Sequence, residues 1–164
     1  MKLLKEIWSY FAIIILVLIF RTFIISPVSV DGDSMYSTLK DKEMLLLKKY
    51  DKSFDRFDIV VFQHGSSKII KRIIGLPGEY VEYKNNELYI DGEIIEDVKL
   101  LTDTPDFKLE ELNLSIIPED MYFVLGDNRT NSLDSRTIGL IEKEDILGTV
   151  DFRVFPFKRF GKIE

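Results

Sequence analysis

The sequence predicts a mainly β protein, one domain of antiparallel β-sheet carried behind a single N-terminal transmembrane helix. Three observations support this. Residues 8–25 form a nearly uninterrupted apolar run. Beyond residue 26 no stretch shows strong amphipathic-helix periodicity. Instead, short aliphatic and aromatic runs alternate with the turn signals Pro77-Gly78, Asn85-Asn86 and Asp91-Gly92.

Composition narrows the function. At 30% charged and 46% hydrophobic residues, the chain has a globular mixture rather than a disordered one. A net charge of −6 argues against a nucleic-acid partner, which would demand a basic face. Cysteine is absent, which removes thiolate chemistry, disulfides and Cys-ligated zinc. The single histidine, His64, would leave a zinc site to carboxylates, so no metal is expected and nothing calls for a cofactor. No internal repeat or low-complexity segment is evident.

The first element is the anchor. Trp8 to Ile25 is 18 residues, about 27 Å of helix against a hydrocarbon core of roughly 30 Å. Arg21 lies about one turn from the far end, where a long side chain reaches the headgroups. Lys2 and Lys5 precede the run and favour a cytoplasmic N-terminus, and Trp8 suits the interface. Residues 1–26 are therefore expected to be a cytoplasmic stub and anchor, with 27–164 outside. A cleaved signal peptide is the competing reading, but Ala12 is the only alanine and Ser26-Pro27-Val28 makes a poor cleavage site. A buried core helix is the other, against which stands a run apolar on all sides in so small a domain.

Pro27 ends that helix or follows its end. Strands are expected over residues 43–49, 57–62, 68–74 and 121–125, with a meander at 81–84, 87–90 and 93–96 turned by Asp91-Gly92. Residues 100–117 read as a surface excursion within a small accessory lobe around 84–117. Residues 142–146 suit one helical turn, and 148–155 a final strand. The tail Phe155-Pro156-Phe157-Lys158-Arg159-Phe160 reads equally as a strand end with solvated charges and as a membrane-surface contact.

Two stretches could carry chemistry. Ser34 lies in Gly32-Asp33-Ser34-Met35-Tyr36-Ser37-Thr38-Leu39, nine positions past Ile25, hence within roughly 30 Å of the anchor's end. Alone, it reads as a polar turn. Lys71 and Arg72 lie in Ile69-Ile70-Lys71-Arg72-Ile73-Ile74, and in a strand both have apolar neighbours on their own face, so periodicity does not choose between them. Chemistry does: arginine stays protonated, whereas a buried lysine can become a neutral general base for a serine hydroxyl. Taken alone, the pair reads as two solvated cations over apolar stems.

Read together, Ser34-Met35 with Thr38-Leu39, then Asp58-Ile59-Val60-Val61-Phe62, then Lys71-Arg72-Ile73-Ile74-Gly75-Leu76-Pro77-Gly78-Glu79, then Gly126-Asp127-Asn128-Arg129 through Ser132, Asp134, Ser135 and Arg136 resemble the bacterial type I signal peptidases, with the family's boxes in family order behind an anchor. Residues 84–117 track no motif. The resemblance implies a membrane-anchored Ser/Lys endopeptidase of the bacterial plasma membrane with a β-sheet catalytic domain. It would cut signal peptides from exported preproteins after small residues in an A-x-A-like pattern. It implies Ser34 as nucleophile, Lys71 as general base, Ser132 as the residue orienting the lysine, and Asp127–Arg72 and Asp134–Arg136 as supporting ion pairs. The oxyanion hole would include the Ser34 N–H. A serine that some members carry two residues earlier is Gly32 here, as in the Gram-positive-type enzymes. Ser37 stands where the family box usually has proline. Val28, Val30 and Met35 are candidate substrate-pocket residues, or equally core. His64, in a loop-like stretch, reads as a solvated histidine although some relatives use histidine as base.

Two rival readings remain at this stage. One is a non-catalytic paralogue that binds exported chains, which Ser34 and Lys71 argue against and Ser37 keeps open. The other is a self-cleaving repressor of the related Ser/Lys fold, which the anchor and the lack of a DNA-binding module argue against.

Overall fold

The computed structural model describes residues 2–50, 52–98 and 100–163, and in the first helix it describes side chains from Glu6 to Leu18. That helix, α1 (Lys2–Phe23), is 22 residues long. Its described apolar side chains are solvent-facing, Trp8 73% and Leu16 66% exposed. This sets aside the buried core helix. Among the described residues, no helix is long and apolar enough to cross a membrane.

Every strand pairing is antiparallel. The larger sheet contains β1 (Ile25–Ser29), β2 (Met44–Lys48), β3 (Ile59–His64) and β4 (Ser67–Gly75). The smaller one is built from β5 (Val81–Lys84), β6 (Glu87–Ile90), β7 (Glu93–Ile95) and β8 (Phe107–Lys108). The chain then returns to the larger sheet through β9 (Met121–Leu125), a one-turn helix α2 (Ser135–Ile138), β10 (Ile141–Glu142), β11 (Ile146–Phe155) and β12 (Gly161–Lys162). The larger sheet runs β1-β2-β11-β3-β4-β9-β10 with β12 on β11, the smaller β7-β6-β5-β8.

Local chemistry accounts for the hairpins. Lys84 pairs with Glu87 and Ile90 with Glu93, leaving the two-residue turns Asn85-Asn86 and Asp91-Gly92, all four residues at positive φ. Those φ values match the right-handed twist of the flanking strands, and Asn, Asp and Gly tolerate them best. Packing accounts for the rest. Leu45 and Leu47 alternate inward on β2 and meet Val28, Val61 and Val150. Ile74, Val81, Phe107 and Phe123 join the small sheet to the back of β4 and β9, with Phe107 stacked on Phe123 at 5.0 Å. A buried side chain of this kind contributes about 1.5–3 kcal/mol.

The structure departs from the sequence expectation at four places. The helix stops at Phe23, and Ile25 begins β1, registered by Lys49 N donating to Ile24 O (3.0 Å). Pro27 therefore sits inside a strand. It is tolerated because β1 is the sheet's outermost strand, where a missing N–H need not remove a ladder bond. Residues 100–117 are not merely a surface excursion. Phe107, Leu109 and Ile117 are core residues; the first two are carried on a two-residue strand and a 3₁₀ turn too short for any periodicity to show, and Ile117 lies in irregular chain. Residues 142–146 hold the expected single turn as a 3₁₀ turn at Lys143–Asp145, but Glu142 belongs to β10 and Ile146 to β11, which is followed by β12. His64 closes β3 rather than lying in a loop, and it is exposed.

Candidate active site

The turn bearing Ser34 is held from beneath. Met35 and Leu39 are buried at 1% and 0% exposure, and Leu39 N donates to Met35 O (2.8 Å) while Tyr36 N donates to Asp33 O (3.1 Å). Gly32 has φ +83°, which a Cβ would strain, and its N–H donates to Asp41 Oδ1 (2.9 Å). The Tyr36–Ser37 peptide is cis. The burial of Met35 and Leu39 and the hydrogen bonds of this turn hold Ser34, partly buried, in front of β4.

Lys71 comes from the middle of β4, where residues 70–75 are all buried. Its Nζ lies 2.6 Å from Ser34 Oγ and donates to Ile70 O (2.9 Å). Burial at 2% exposure pushes the amine down to about 8 from its ordinary 10.5, against the opposing pull of the Asp134 and Asp127 carboxylates. Near pH 8 a large share of the amine is therefore neutral and able to accept the serine proton.

Arg72 leaves the strand on the opposite face. It forks onto Asp127, Nε to Oδ1 at 2.9 Å and Nη2 to Oδ2 at 2.6 Å, and also donates to Phe57 O (2.9 Å). The Asp127 side chain is fully buried, so this charge pair joins β4 to the loop after β9 in a dry environment. Asp134 does a related job. Its carboxylate accepts from Arg136 Nε and Nη2 (2.9 and 2.8 Å) and from Gly126 N (3.1 Å), and it caps α2. Val124 N donates to Ser135 Oγ (2.9 Å), tying α2 to β9. Asn128 N reaches Ser34 O (3.0 Å) and Asn128 Nδ2 reaches Asp33 O (3.2 Å), so the loop 126–136 grips the turn that bears Ser34 directly. Gly126 is required by that approach: a Cβ there would lie 2.2 Å from Ser132 Oγ and 2.4 Å from Ser34 O.

Three expectations change. Ser132 is brought to this loop but makes no hydrogen bond to Lys71. Its Oγ is buried against Gly126 without a partner, while the Ile70 carbonyl takes the amine's other bond. A buried hydroxyl left unpaired costs about 1–3 kcal/mol. Val30 and Met35 line a cavity of about 190 Å³ together with Ser34, Lys71, Ile70 and Leu133, but Val28 does not, being buried with Leu45 and Leu47 in the core. His64 lies outside this cavity's lining. In the tail, Arg159 is not the solvated charge that was expected. Arg159 turns inward, and with Arg153 it pairs the buried Glu43 (2.5 and 2.7 Å) and donates to Thr38 O, bracing the turn four residues past Ser34. Phe155, Phe157 and Phe160 stay exposed. Glu43, Arg153 and Arg159 went unassigned in the sequence because they join segments some 110 positions apart. Arg129 went unassigned too, and the buried arginine behind the loop was visible only as one letter of a motif. Among the described residues, no cluster of His, Asp or Glu could hold a metal ion.

Comparison with known proteins agrees with this geometry. Residues 3–155 match the family described as signal peptidase, peptidase S26. The chain is 42% identical to signal peptidase I S of Bacillus subtilis (strain 168) over 160 residues, covering 91% of this chain and 87% of that protein. It is 41% identical to a signal peptidase I of Bacillus caldolyticus, covering 94% and 92%. The solved structure of a signal peptidase I from Enterococcus faecalis V583 superposes with a TM-score of 0.54 at 38% identity, covering 59% of this chain and 96% of that one. With the family matched along nearly its whole length, the chain belongs to the signal peptidases of family S26.

Proposed function

We propose that this protein is a signal peptidase I that removes signal peptides from exported preproteins, with Ser34 as nucleophile and neutral Lys71 as general base. The observation that carries the reading is the 2.6 Å approach of a buried lysine amine to a serine hydroxyl. Ser34 Oγ attacks the scissile carbonyl carbon while Lys71 Nζ takes its proton. The tetrahedral intermediate collapses as the lysine returns that proton to the leaving amine. Water, deprotonated by the same amine, then attacks the acyl ester and releases Ser34. The backbone N–H of Ser34 is suited to the oxyanion. In this reading the Ser132 hydroxyl, buried in the loop 126–136 without a partner, has the task of orienting the amine once substrate binds.

Substrate geometry follows from the sheet. β4 pairs with β9 only from Arg72 onward, so the 67–71 edge faces the cavity and can take an extended peptide as an added strand. A cavity of about 190 Å³ lined by Val30 and Met35 suits small side chains before the cut.

The anchor belongs to the same proposal. α1 at 22 residues is about 33 Å long, and its exposed Ile, Leu and Phe side chains are compatible with lipid. Lys2 and Lys5 favour residues 1–26 as a cytoplasmic stub and single-pass anchor in the bacterial plasma membrane. Residues 27–164 are then the extracytoplasmic catalytic domain, with the small sheet and the segment to 117 as its accessory lobe. Exposed Phe155, Phe157 and Phe160 with Lys158 offer a further lipid contact. The test is to incubate the purified full chain in detergent with a preprotein carrying an A-x-A site and to map the new N-terminus. Cleavage at the site supports the reading, and an intact preprotein, with a known signal peptidase active in parallel, overturns it.

A further inference from the structure

The small lobe has a contact with the catalytic loop that the proposed chemistry does not use. Arg129, two residues past Asp127 in that loop, is 1% exposed. Its Nη1 donates to Asp97 Oδ2 (2.8 Å), Thr104 Oγ1 (2.7 Å) and Tyr83 Oη (2.9 Å), and Nη2 reaches Asp97 Oδ1 (3.3 Å). The guanidinium also lies over the Tyr83 ring, 5.3 Å from its centroid. The Arg129 N–H donates to Thr102 Oγ1 (3.1 Å). All of these partners belong to the small lobe: Tyr83 is on β5, and Asp97, Thr102 and Thr104 are on the irregular strap that follows β7. Burying a guanidinium is expensive unless every charge and donor is matched, and here Nε still lacks a partner. Removing Arg129 alone would leave the largely buried Asp97 carboxylate without its charge partner, so the contact is strong where it stands.

The other side of Arg129 leads to the nucleophile. Its carbonyl accepts from Arg136 Nη2 (2.7 Å). Arg136 forks onto Asp134, Asp134 accepts from Gly126 N, and Asn128 N, one residue before Arg129, donates to Ser34 O. Hydrogen bonds, together with the short backbone links between Gly126, Asn128 and Arg129, thus join Asp97, Thr102 and Thr104 to the Ser34 carbonyl. We propose that Arg129 is a positioning residue through which the small lobe holds the loop 126–136 against the nucleophile turn. This rests on the Ser34–Lys71 reading. It gives the lobe a part in the reaction although none of its residues touches the reacting atoms. Leu133 is the only residue of this loop lining the cavity, the rest coming from β4 and from residues 29–35. Loss of the clamp should therefore act on kcat rather than KM.

The experiment compares the full-length wild type with Arg129→Met and with the milder Tyr83→Phe, which keeps the ring and deletes the hydroxyl that accepts from Arg129 and donates to Asp97. Peptide kinetics are read beside amide hydrogen exchange. Arg129→Met is expected to lower kcat by about 10²-fold, the effect of a misplaced constellation, with KM changed less than about threefold. The Gly126 and Asn128 amides should exchange faster while Val61 and Ile70 stay protected. Tyr83→Phe should move the same readouts in the same direction by less. Unchanged kcat and loop protection in both variants would overturn the proposal. So would faster exchange throughout β3 and β4, which would make Arg129 general structural glue. Should Arg129→Met fail to fold, Tyr83→Phe decides alone by whether its effect is confined to 126–136. A wild type that does not cut preprotein refutes the Ser34–Lys71 reading, whereas the exchange arm still tests the clamp.

Discussion

Lys71 Nζ sits 2.6 Å from Ser34 Oγ although 37 positions separate them in the chain. A turn pinned by Met35 and Leu39 and a strand buried from Ile70 to Gly75 bring them together, so neither side chain has much freedom to leave. From this pair we expect Ser34→Ala and Lys71→Ala each to abolish preprotein cleavage. Lys71→Arg should be equally dead, because a guanidinium does not give up its proton. His64→Ala should keep most activity. Turnover of a preprotein by the four variants measures this, and substantial cleavage by Lys71→Ala excludes the dyad.

The lysine also sets a pH dependence. Only its neutral form is a base, so activity should rise with pH through about 8 and fall away below it. Asp127→Asn removes a charge that holds the amine up and should move this acid limb to lower pH. Stability follows from the same shift. Below pH 8 both states carry the proton and the native state bears the full burden of the buried charge. Between about 8 and 10.5 the unfolded chain binds more protons, so stability rises with pH. Lys71→Met should therefore be more stable than wild type at pH 7, by up to about 3 kcal/mol, and lose that advantage above pH 10.5. Denaturant melts across this range check it; a Lys71→Met protein less stable than wild type at pH 7 would refute the burial argument.

Gly126 tests the contact between loop and nucleophile turn. In Gly126→Ala the new methyl would meet backbone, the Ser34 carbonyl, which cannot swing aside like a side-chain tip. Overpacking of this kind costs about 1–3 kcal/mol, and activity should fall far more than stability because the displaced atoms flank Ser34. Thermal melting and peptide kinetics, side by side, separate the two. An active Gly126→Ala enzyme would mean the loop stands further from Ser34.

The proposed anchor predicts topology. Protease added outside spheroplasts should reach the body beyond Pro27 and spare the N-terminus. Protection of the whole body would reverse the proposed orientation. A chain lacking residues 1–26 should still cut peptides, because the catalytic pair and its supports all lie beyond that point.

Some of this protein is decided by the sequence alone. The hairpins at 84–87 and 90–93 follow from Asn85-Asn86 and Asp91-Gly92, because φ preference is a property of each residue and its neighbours. The all-β body follows from its short apolar runs. Ser34, Lys71 and the two Asp–Arg pairs were marked by motif resemblance, and the pairs are found at hydrogen-bond distance. Other features needed the tertiary structure. Both faces of β4 are covered, so alternation could not tell which cation meets Ser34. Whether Ile25 ends a helix or starts a strand depends on β2 lying alongside it. The unpaired Ser132 hydroxyl, the Glu43–Arg153–Arg159 brace and the Arg129 clamp depend on which segments fold against one another. Local periodicity reports which side of an element is apolar. It does not report the partner of a buried charge, because that partner is chosen by packing between segments distant in the chain.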